Sequence, residues 1–143
     1  MAMTLDQIAL VQQSFGKVAP IADQAATLFY GRLFELAPQV KPLFPVDMTE
    51  QRKKLMMTLA TVIGSLNDLP AVLPSASALA KRHVAYGVKP EHYAIVGGAL
   101  LWTLERGLGA DWTKDLAAAW TATYAALADF MIGEAYGRST AAG

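Results

Sequence analysis

Apolar residues recur every three or four positions along most of this chain, which is the spacing of one face of an α-helix. The first such segment carries Ile8, Val11 and Phe15. It follows Thr4, which forms a T-x-x-Q capping box with Gln7, a signature of a helix start. No segment alternates convincingly between apolar and polar residues as a strand would, and no repeat appears. The pattern therefore predicts an all-α protein.

Proline, glycine and capping residues divide this pattern into roughly seven helices of unequal length. The expected boundaries are a start after Thr4, a break at Pro20, a start at Asp47 or Thr49, an end at Asn67, Asp68 and Pro70, a short helix that ends near His83 before Gly87, a helix from about Glu91 to Gly107, and a last helix from Trp112, capped by Asp111, to about Tyr136. Unequal lengths and proline-marked corners favour a helical sandwich over a regular bundle.

Composition narrows the class of protein. The 143 residues suit one domain, 1–143, with a helical core over about 5–136 and a flexible tail at 137–143. The apolar fraction of 54% is high, which suggests a core that encloses something extra. Twelve basic and twelve acidic residues give no net charge, which argues against nucleic-acid binding. The absence of cysteine excludes thiol catalysis and thiolate metal sites.

Neither the N-terminal segment nor the uncharged runs of the chain indicate a membrane protein. The N-terminal segment lacks the basic start and long apolar core of a signal peptide. The longest uncharged runs, such as 55–67 and 92–104, are shorter than the roughly 18 to 20 apolar residues that a spanning helix needs. We therefore expect a cytoplasmic protein with no membrane partner, either a monomer or a weak dimer.

The chain has two histidines, His83 and His92, and motifs for phosphate binding or hydrolysis are absent. His83 lies just before an expected helix end, where it could be an ordinary residue stabilised by the helix dipole. Spacing alone favours this interpretation, but His83 could also ligate a metal through a neutral ring nitrogen. Two histidines without cysteine cannot complete a structural zinc site. A metal at His83 would have to bring its other ligands, as a haem does.

Two polar residues could face such a ligand. Tyr30 lies in the second helix, and Gln51 begins a helix whose same side is apolar at Leu55 and Leu59. A polar group at the mouth of an apolar stripe can orient a ligand. The alternatives are a core tyrosine with a satisfied hydroxyl and an exposed glutamine in a first helical turn. The basic run 51–54 is typical of a solvated face.

Several segments match a known family over nearly the whole chain, about Leu5 to Tyr136. They are LFYGRLFELAP, VKPLF, QRKKLMMTL, LPAVLPSASALAKRHVAYGV, EHYAIVGGALLWTL and AAAWTATYAALADFMIGEA. Pro38 and Phe44, six residues apart, match a corner proline and a phenylalanine that packs on a haem. The chain resembles the globins, above all single-domain bacterial haemoglobins related to the globin domain of flavohaemoglobins, with some neuroglobin-like features.

The resemblance implies a globin fold, a helical sandwich around a b-type haem whose iron is bound by His83. It implies distal donors at Tyr30 and Gln51. Further residues implied to contact the haem or flank its ligand are Phe44, Lys54, Leu55, Leu79, Arg82, Val88, Tyr93 and Val96. Tyr93 would lie next to the iron-binding histidine. His92 is expected to be structural or exposed, or to approach a haem propionate.

One family feature departs from the pattern. In the flavohaemoglobin-like members, a glutamate late in the last helix also hydrogen-bonds the iron-binding histidine. Glu134 is the nearest candidate but falls one residue early. A slip of one residue rotates a helical side chain by about 100°. The resemblance therefore does not assign that contact to Glu134.

The resemblance implies binding of dioxygen, nitric oxide or carbon monoxide. Donors at Tyr30 and Gln51 predict slow oxygen release, suited to oxygen binding and transport. Because glutamine is a poor iron ligand, we expect no closure of the deoxy form by Gln51. The alternatives are nitric oxide detoxification by a dioxygenase that depends on a separate reductase, and a haem-based gas sensor.

Overall fold

The computed structural model describes residues 4–85 and 88–136. Six α-helices form this part: α1 (Leu5–Val18), α2 (Ala22–Leu36), α3 (Thr49–Gly64), α4 (Leu69–Ala85), α5 (Pro90–Leu108) and α6 (Lys114–Tyr136). Short 3₁₀ turns connect them at Ala19–Ile21, Pro38–Leu43, Leu66–Asp68 and Gly109–Asp111. The described ranges hold no strand, so the all-α prediction is confirmed.

The helix starts follow their local sequence. The Gln7 amide donates to Thr4 Oγ1 at 3.0 Å and the Thr4 amide donates to Gln7 Oε1 at 3.1 Å, which completes the predicted capping box. Pro20 lies in the turn before α2. The backbone N–H of Thr49 donates to Asp47 Oδ1 at 3.0 Å, so Asp47 stabilises the start of α3 as predicted.

The predicted end of α3 is wrong by three residues. The helix stops at Gly64, and a 3₁₀ turn leads directly into α4. Gln12 of α1 accounts for the early stop, since its side-chain amide donates to the Ile63 carbonyl at 2.9 Å and to Asn67 Oδ1 at 2.8 Å. A contact from 51 residues away satisfies groups that a longer helix would have satisfied itself.

The predicted cap of α6 is also wrong. The Leu116 amide donates to Thr113 Oγ1 at 3.1 Å, so Thr113 caps the helix. Asp111 instead forms an ion pair with Lys17 of α1 at 3.4 Å. Asp111 and Thr113 are both of residue types that cap helices, and the two differ in that Asp111 contacts α1.

Helix α4 is longer than predicted. It has 17 residues, contains Pro74 and continues past His83 to Ala85. Proline inside a helix removes one backbone hydrogen bond and disfavours the helix locally. Burial of Ala76 and Ala80 against α6 offsets that loss. Gly87, the predicted stop signal, and the tail 137–143 lie outside the described residues.

The buried side chains form two clusters. The larger cluster joins α1, α2, α5 and the first half of α6, with Trp120 almost completely enclosed at 2% exposure. Its indole N–H donates to Ser14 Oγ at 2.9 Å, so the buried N–H has a hydrogen-bond partner. The smaller cluster joins α4 to the second half of α6 and includes Tyr93 of α5 and Val62 of α3.

The two clusters leave a gap between α3 and α4. Helix α3 packs on α2 and α1, whereas α4 packs chiefly on α6. An open cleft of about 250 Å³ lies where the two helices face each other. It is lined by Met57, Thr58, Thr61, Val62, Ala76, Leu79, Arg82 and Leu127.

In the part of the chain that the structure describes, one helical segment, Lys114–Glu134, is long and apolar enough to cross a bilayer by length and composition alone. This segment contributes Leu116, Ala119 and Trp120 to the larger cluster. Core helices meet the same criterion, so the finding is weak evidence for a membrane span.

Candidate functional site

Tyr30 and Gln51 meet across the interface of α2 and α3. The Gln51 amide Nε2 donates to the Tyr30 hydroxyl at 3.1 Å. Tyr30 is 6% exposed and Gln51 is half-buried, so the glutamine is not the exposed first-turn residue of the alternative interpretation. Because the tyrosine oxygen accepts this bond, the hydroxyl hydrogen can point to a second partner.

The hydroxyl of Tyr30 is held in its neutral form. Burial raises the pKa of Tyr30 above its ordinary value of 10.0, and the hydrogen bond from Gln51 opposes this only in part. The group therefore remains a hydroxyl, with a hydrogen to donate, throughout the neutral pH range.

Aromatic rings surround Tyr30. Phe44 approaches it edge to face with ring centroids 5.5 Å apart, and Phe29 does so at 4.9 Å. Phe34 packs on Phe44 at 5.5 Å. Edge-to-face pairs of this kind are favourable and fix ring positions. The polar pair of Tyr30 and Gln51 therefore lies in a rigid, largely apolar wall.

His83 lies on α4, beside the cleft. Its Nδ1 is 2.8 Å from the carbonyl oxygen of Leu79, one turn earlier. A carbonyl only accepts, so Nδ1 carries the hydrogen and Nε2 carries the lone pair that can bind a metal. Burial lowers the pKa of His83, although the Leu79 carbonyl opposes this and the charge of Arg82 adds to it. The ring is therefore neutral, the state a metal ligand requires.

Tyr93 of α5 stacks on His83, with ring centroids 6.3 Å apart and planes 26° apart. The backbone carbonyl of Tyr93 accepts a 2.6 Å hydrogen bond from the hydroxyl of Tyr124 on α6. Tyr124 was not found from the sequence. Two adjacent glycines inside a helix, Gly97 and Gly98, are the feature of the sequence that could have indicated a close packing partner. The Tyr124 ring occupies the space that a side chain at Gly97 would need.

The other predicted residues divide between the two sides of the gap. Leu55 and Val96 pack against the larger cluster, on the side of Tyr30. Leu79 and Val88 pack against the smaller cluster, on the side of His83. Lys54 and Arg82 are exposed, and the side chain of Arg82 borders the cleft. Of the predicted residues, Leu79 and Arg82 line the cleft, whereas Phe44, Tyr30, Gln51 and His83 do not.

Glu134 does not take the family position. It is exposed, and its Oε1 accepts a 2.7 Å hydrogen bond from Ser77 of α4, six residues before His83. Six residues of helix cover about 9 Å. The one-residue offset in the sequence thus corresponds to a carboxylate bound nearer the start of α4.

His92 has a structural contact. Its Nδ1 accepts a 3.0 Å hydrogen bond from the backbone N–H of Lys89, directly before α5. This bond satisfies one of the amides at the helix start. His92 therefore differs from His83, whose Nδ1 bonds within its own helix.

This arrangement fits a haem. The cleft is lined mostly by apolar groups, with Arg82 at its border as a cation for a carboxylate. A neutral histidine with a fixed tautomer, such as His83, would be the residue to bind the haem iron. A metal ion alone would lack ligands, since the described residues contain no group of three His, Cys, Asp or Glu side chains that could hold one.

The globin family model matches residues 27–131. The chain belongs to the globin family. Relatives include the flavohemoproteins of Bordetella parapertussis, 36% identical over 73% of this chain, and Chromobacterium violaceum, 35% identical over 80%. The flavohemoprotein of Rhodopirellula baltica is 32% identical over 88% of the chain. The chain spans only 27% to 32% of the length of these relatives.

A solved structure agrees with this globin over nearly its whole length. The bacterial globin from Campylobacter jejuni superposes with a TM-score of 0.82 and 28% identity, covering 92% of this chain and 95% of the other. The resemblance to bacterial globins and the predicted fold are confirmed. Family and relatives together support haem-based binding of a gas.

Proposed function

We propose that this globin binds dioxygen reversibly at a b-type haem, with His83 as the iron ligand and Tyr30 and Gln51 as donors to the gas. The observation that carries the proposal is the hydrogen bond from Gln51 to Tyr30. It joins two predicted distal residues in the wall opposite the cluster that contains Tyr93 and Leu79.

The direction of that bond supports slow gas release. Gln51 donates to the tyrosine oxygen, which leaves the Tyr30 hydrogen for a guest that carries partial negative charge. A hydroxyl that itself accepts a hydrogen bond becomes a better donor. Haem, when bound, would supply the iron that binds a diatomic gas. The protein supplies the donor that distinguishes a polar gas from an apolar one.

The remaining predicted residues take supporting roles. Leu55, Phe44 and Val96 form apolar walls on the Tyr30 side and Leu79 and Val88 on the His83 side. Lys54 and Arg82 are exposed cations suited to the haem propionates.

A second candidate is dioxygenation of nitric oxide, favoured by the flavohemoprotein relatives. Nitric oxide combines with dioxygen and one electron to give nitrate. The electron comes from a donor that restores ferrous iron, so sustained turnover requires a reductase. The role in gas sensing, the cytoplasmic location and the state of assembly stay predictions.

The two histidines provide a matched test of the iron ligand. His83→Ala is expected to abolish or strongly weaken haem retention, because no other described side chain offers a ring nitrogen beside the cleft. His92→Ala removes a helix cap and is expected to retain haem. The measurement is the absorption spectrum of both variants and of the wild-type protein in ferric, deoxy and oxygenated forms. A colourless wild-type protein, or haem retained equally by both variants, would contradict the proposal.

Mixing the oxygenated protein with nitric oxide separates the two functions. A carrier is expected to be oxidised once and then remain ferric. A dioxygenase is expected to form nitrate repeatedly when a reductase-containing cell extract and NADH are added. The measurement is nitrate formed per haem, with boiled extract as the control.

A further inference from the structure

A second polar contact joins α2 and α3 beside the distal pair. Arg52 Nε donates to Asp23 Oδ1 at 3.4 Å. Arg52 directly follows Gln51 in the first turn of α3, and Asp23 lies in the first turn of α2. The basic run 51–54 is therefore not only a solvated face, since one of its members links two helices.

The two contacts hold α3 at two separate points of α2. Asp23 and Tyr30 are seven residues apart, about 10 Å along the helix. Their partners, Arg52 and Gln51, are adjacent. A pair of contacts spread along one helix and concentrated in one turn of another fixes both the position and the orientation of that turn.

The segment before α3 is held to the larger cluster by Phe44 and Met48, whereas its polar contacts are few. Val46 is fully exposed, and the first turn is held by the hydrogen bond from the Thr49 amide to Asp47. Hydrogen bonds from Thr49 lower the pKa of Asp47, and the positive charge of Arg52 lowers it further. Arg52 therefore interacts electrostatically with two carboxylates, that of Asp47 just before α3 and that of Asp23 on α2.

We propose that Arg52 and Asp23 are positioning residues that hold Gln51 against Tyr30 and thereby slow the release of the gas. The inference rests on the proposed function, because Gln51 and Tyr30 are the donors to the gas there. When the ion pair opens, the first turn of α3 swings from α2 and the Gln51 amide leaves the Tyr30 hydroxyl. The ion pair thus sets the fraction of molecules whose distal donors are assembled.

The expected effect is modest and depends on salt. The side chains of Arg52 and Asp23 are 27% and 86% exposed, so water and ions screen their attraction. Ion pairs of this kind change an equilibrium by about twofold to fivefold at most. Loss of the pair is therefore expected to speed gas release by a factor in that range, well below the effect of losing Tyr30 itself.

A neighbouring pair offers a matched control. Lys53 and Glu50 lie 3.8 Å apart in the same turn, but both belong to α3. Lys53→Gln removes one charge from this turn, as Arg52→Gln does, without touching the link to α2. It is expected to leave gas release unchanged.

The kinetic test uses the haem-loaded protein and stopped-flow measurement of dioxygen release. Arg52→Gln, Asp23→Asn and their combination are expected to release the gas equally fast, twofold to fivefold above wild type, while Arg52→Lys stays near wild type. High salt, at which the Debye length falls to about 3 Å, should speed release in wild type but not in these three faster variants. In a Gln51→Leu background, Arg52→Gln should have no further effect. Wild-type rates in the single variants, or equal acceleration by Lys53→Gln, would overturn the inference.

A second measurement does not depend on the gas. Hydrogen exchange of the backbone amides of residues 52–56 is expected to be faster in Arg52→Gln apoprotein than in wild type and Lys53→Gln, with exchange in α6 unchanged. If wild type binds no gas, the proposed function fails while this measurement still decides whether Arg52 anchors α3. If wild type binds gas and the exchange rates are identical, the positioning role is wrong and the proposed function stands.

Discussion

The hydroxyl of Tyr30 can donate to a guest only while it keeps its hydrogen. Burial among aromatic rings secures this by penalising the phenolate, and Gln51 occupies a lone pair of the oxygen. The same environment excludes water that would compete for the hydrogen. One buried side chain thus combines a fixed protonation state with a fixed direction.

Substitution of Tyr30 by phenylalanine tests this residue directly. Tyr30→Phe is expected to speed dioxygen release roughly tenfold, since a hydrogen bond to a partly charged group contributes about 1.5 kcal/mol. Stopped-flow displacement of the gas measures the rate. Thr103→Val, which removes another buried hydroxyl that donates within its own helix to the Ala99 carbonyl, is the control. An unchanged rate in Tyr30→Phe would mean that its hydroxyl does not reach the gas.

Tyr124 predicts a pH dependence of stability. Burial raises the pKa of Tyr124, and Tyr93 raises it further, relative to the ordinary value of 10.0. Below that value both the folded and unfolded chains hold the proton, so this group adds no pH dependence. Above it the unfolded chain ionises first and binds fewer protons, so the free energy of unfolding falls as pH rises.

Tyr124→Phe is therefore expected to flatten the decline of stability above about pH 10. Urea unfolding at a series of alkaline pH values measures it. The same variant near neutral pH shows only the loss of the hydrogen bond to Tyr93 and provides the reference. Parallel pH profiles for wild type and variant would contradict the prediction.

Helices α5 and α6 pack closely at a glycine. A Cβ added at Gly97 would lie 2.7 Å from the Tyr124 ring, whereas one added at Gly98 meets nothing within 4 Å. The two positions share a helix and differ only in what faces them. Close approach at Gly97 lets the Tyr124 hydroxyl reach the Tyr93 carbonyl.

The two glycines should respond oppositely to alanine. Gly97→Ala is expected to destabilise the fold by about 1 to 3 kcal/mol, because the Tyr124 ring must move. Gly98→Ala is expected to stabilise it by about 0.5 to 1 kcal/mol through higher helix propensity. Thermal and urea unfolding measure both. Similar changes in the two variants would show that Tyr124 does not pack as described.

Helix starts were predicted from sequence better than helix ends. Thr4 caps α1, and the Asp47 carboxylate accepts from the first amide of α3, through contacts two or three residues away that a linear pattern reveals. The end of α3 and the length of α4 depend on Gln12 and on burial against α6, which are distant in sequence. Boundaries set by tertiary contacts cannot be read from local spacing.

In the candidate site too, contacts between residues distant in sequence were not predicted. Spacing alone favoured an ordinary helix-end residue at His83, and the resemblance to globins favoured a metal ligand instead. The hydrogen bond between Gln51 and Tyr30, the contact of Arg52 with Asp23 and the role of Tyr124 join residues 21 to 31 positions apart. Only the packing of the helices brings these pairs together.

At the scale of the molecule, two clusters border a gap. The larger cluster holds α1, α2 and α5 together, whereas α4 depends on the smaller cluster and on what lies between α3 and α4. A haem in the gap would contact both clusters at once. Its binding is therefore expected to stabilise α4 more than it stabilises α1.

Haem titration of the apoprotein tests this expectation. Any ligand that binds only the folded state raises stability, by about 1.4 kcal/mol for each tenfold excess over its dissociation constant. The thermal midpoint should rise, and hydrogen exchange should slow most in α4, with α1 as the internal reference. His83→Ala should show neither change. Equal slowing of exchange in α1 and α4 would mean that haem binding does not stabilise α4 more than α1.

The pairing of α4 with α6 also has a consequence for biosynthesis. The ribosome makes α4 well before the second half of α6, so the cluster around Ala76 and Ala80 at first contains only Val62 and Tyr93 and lacks Ala128 and Met131. The larger cluster gains most of its members earlier. The helix that carries His83 therefore gains the last of its packing partners only when the second half of α6 has been made.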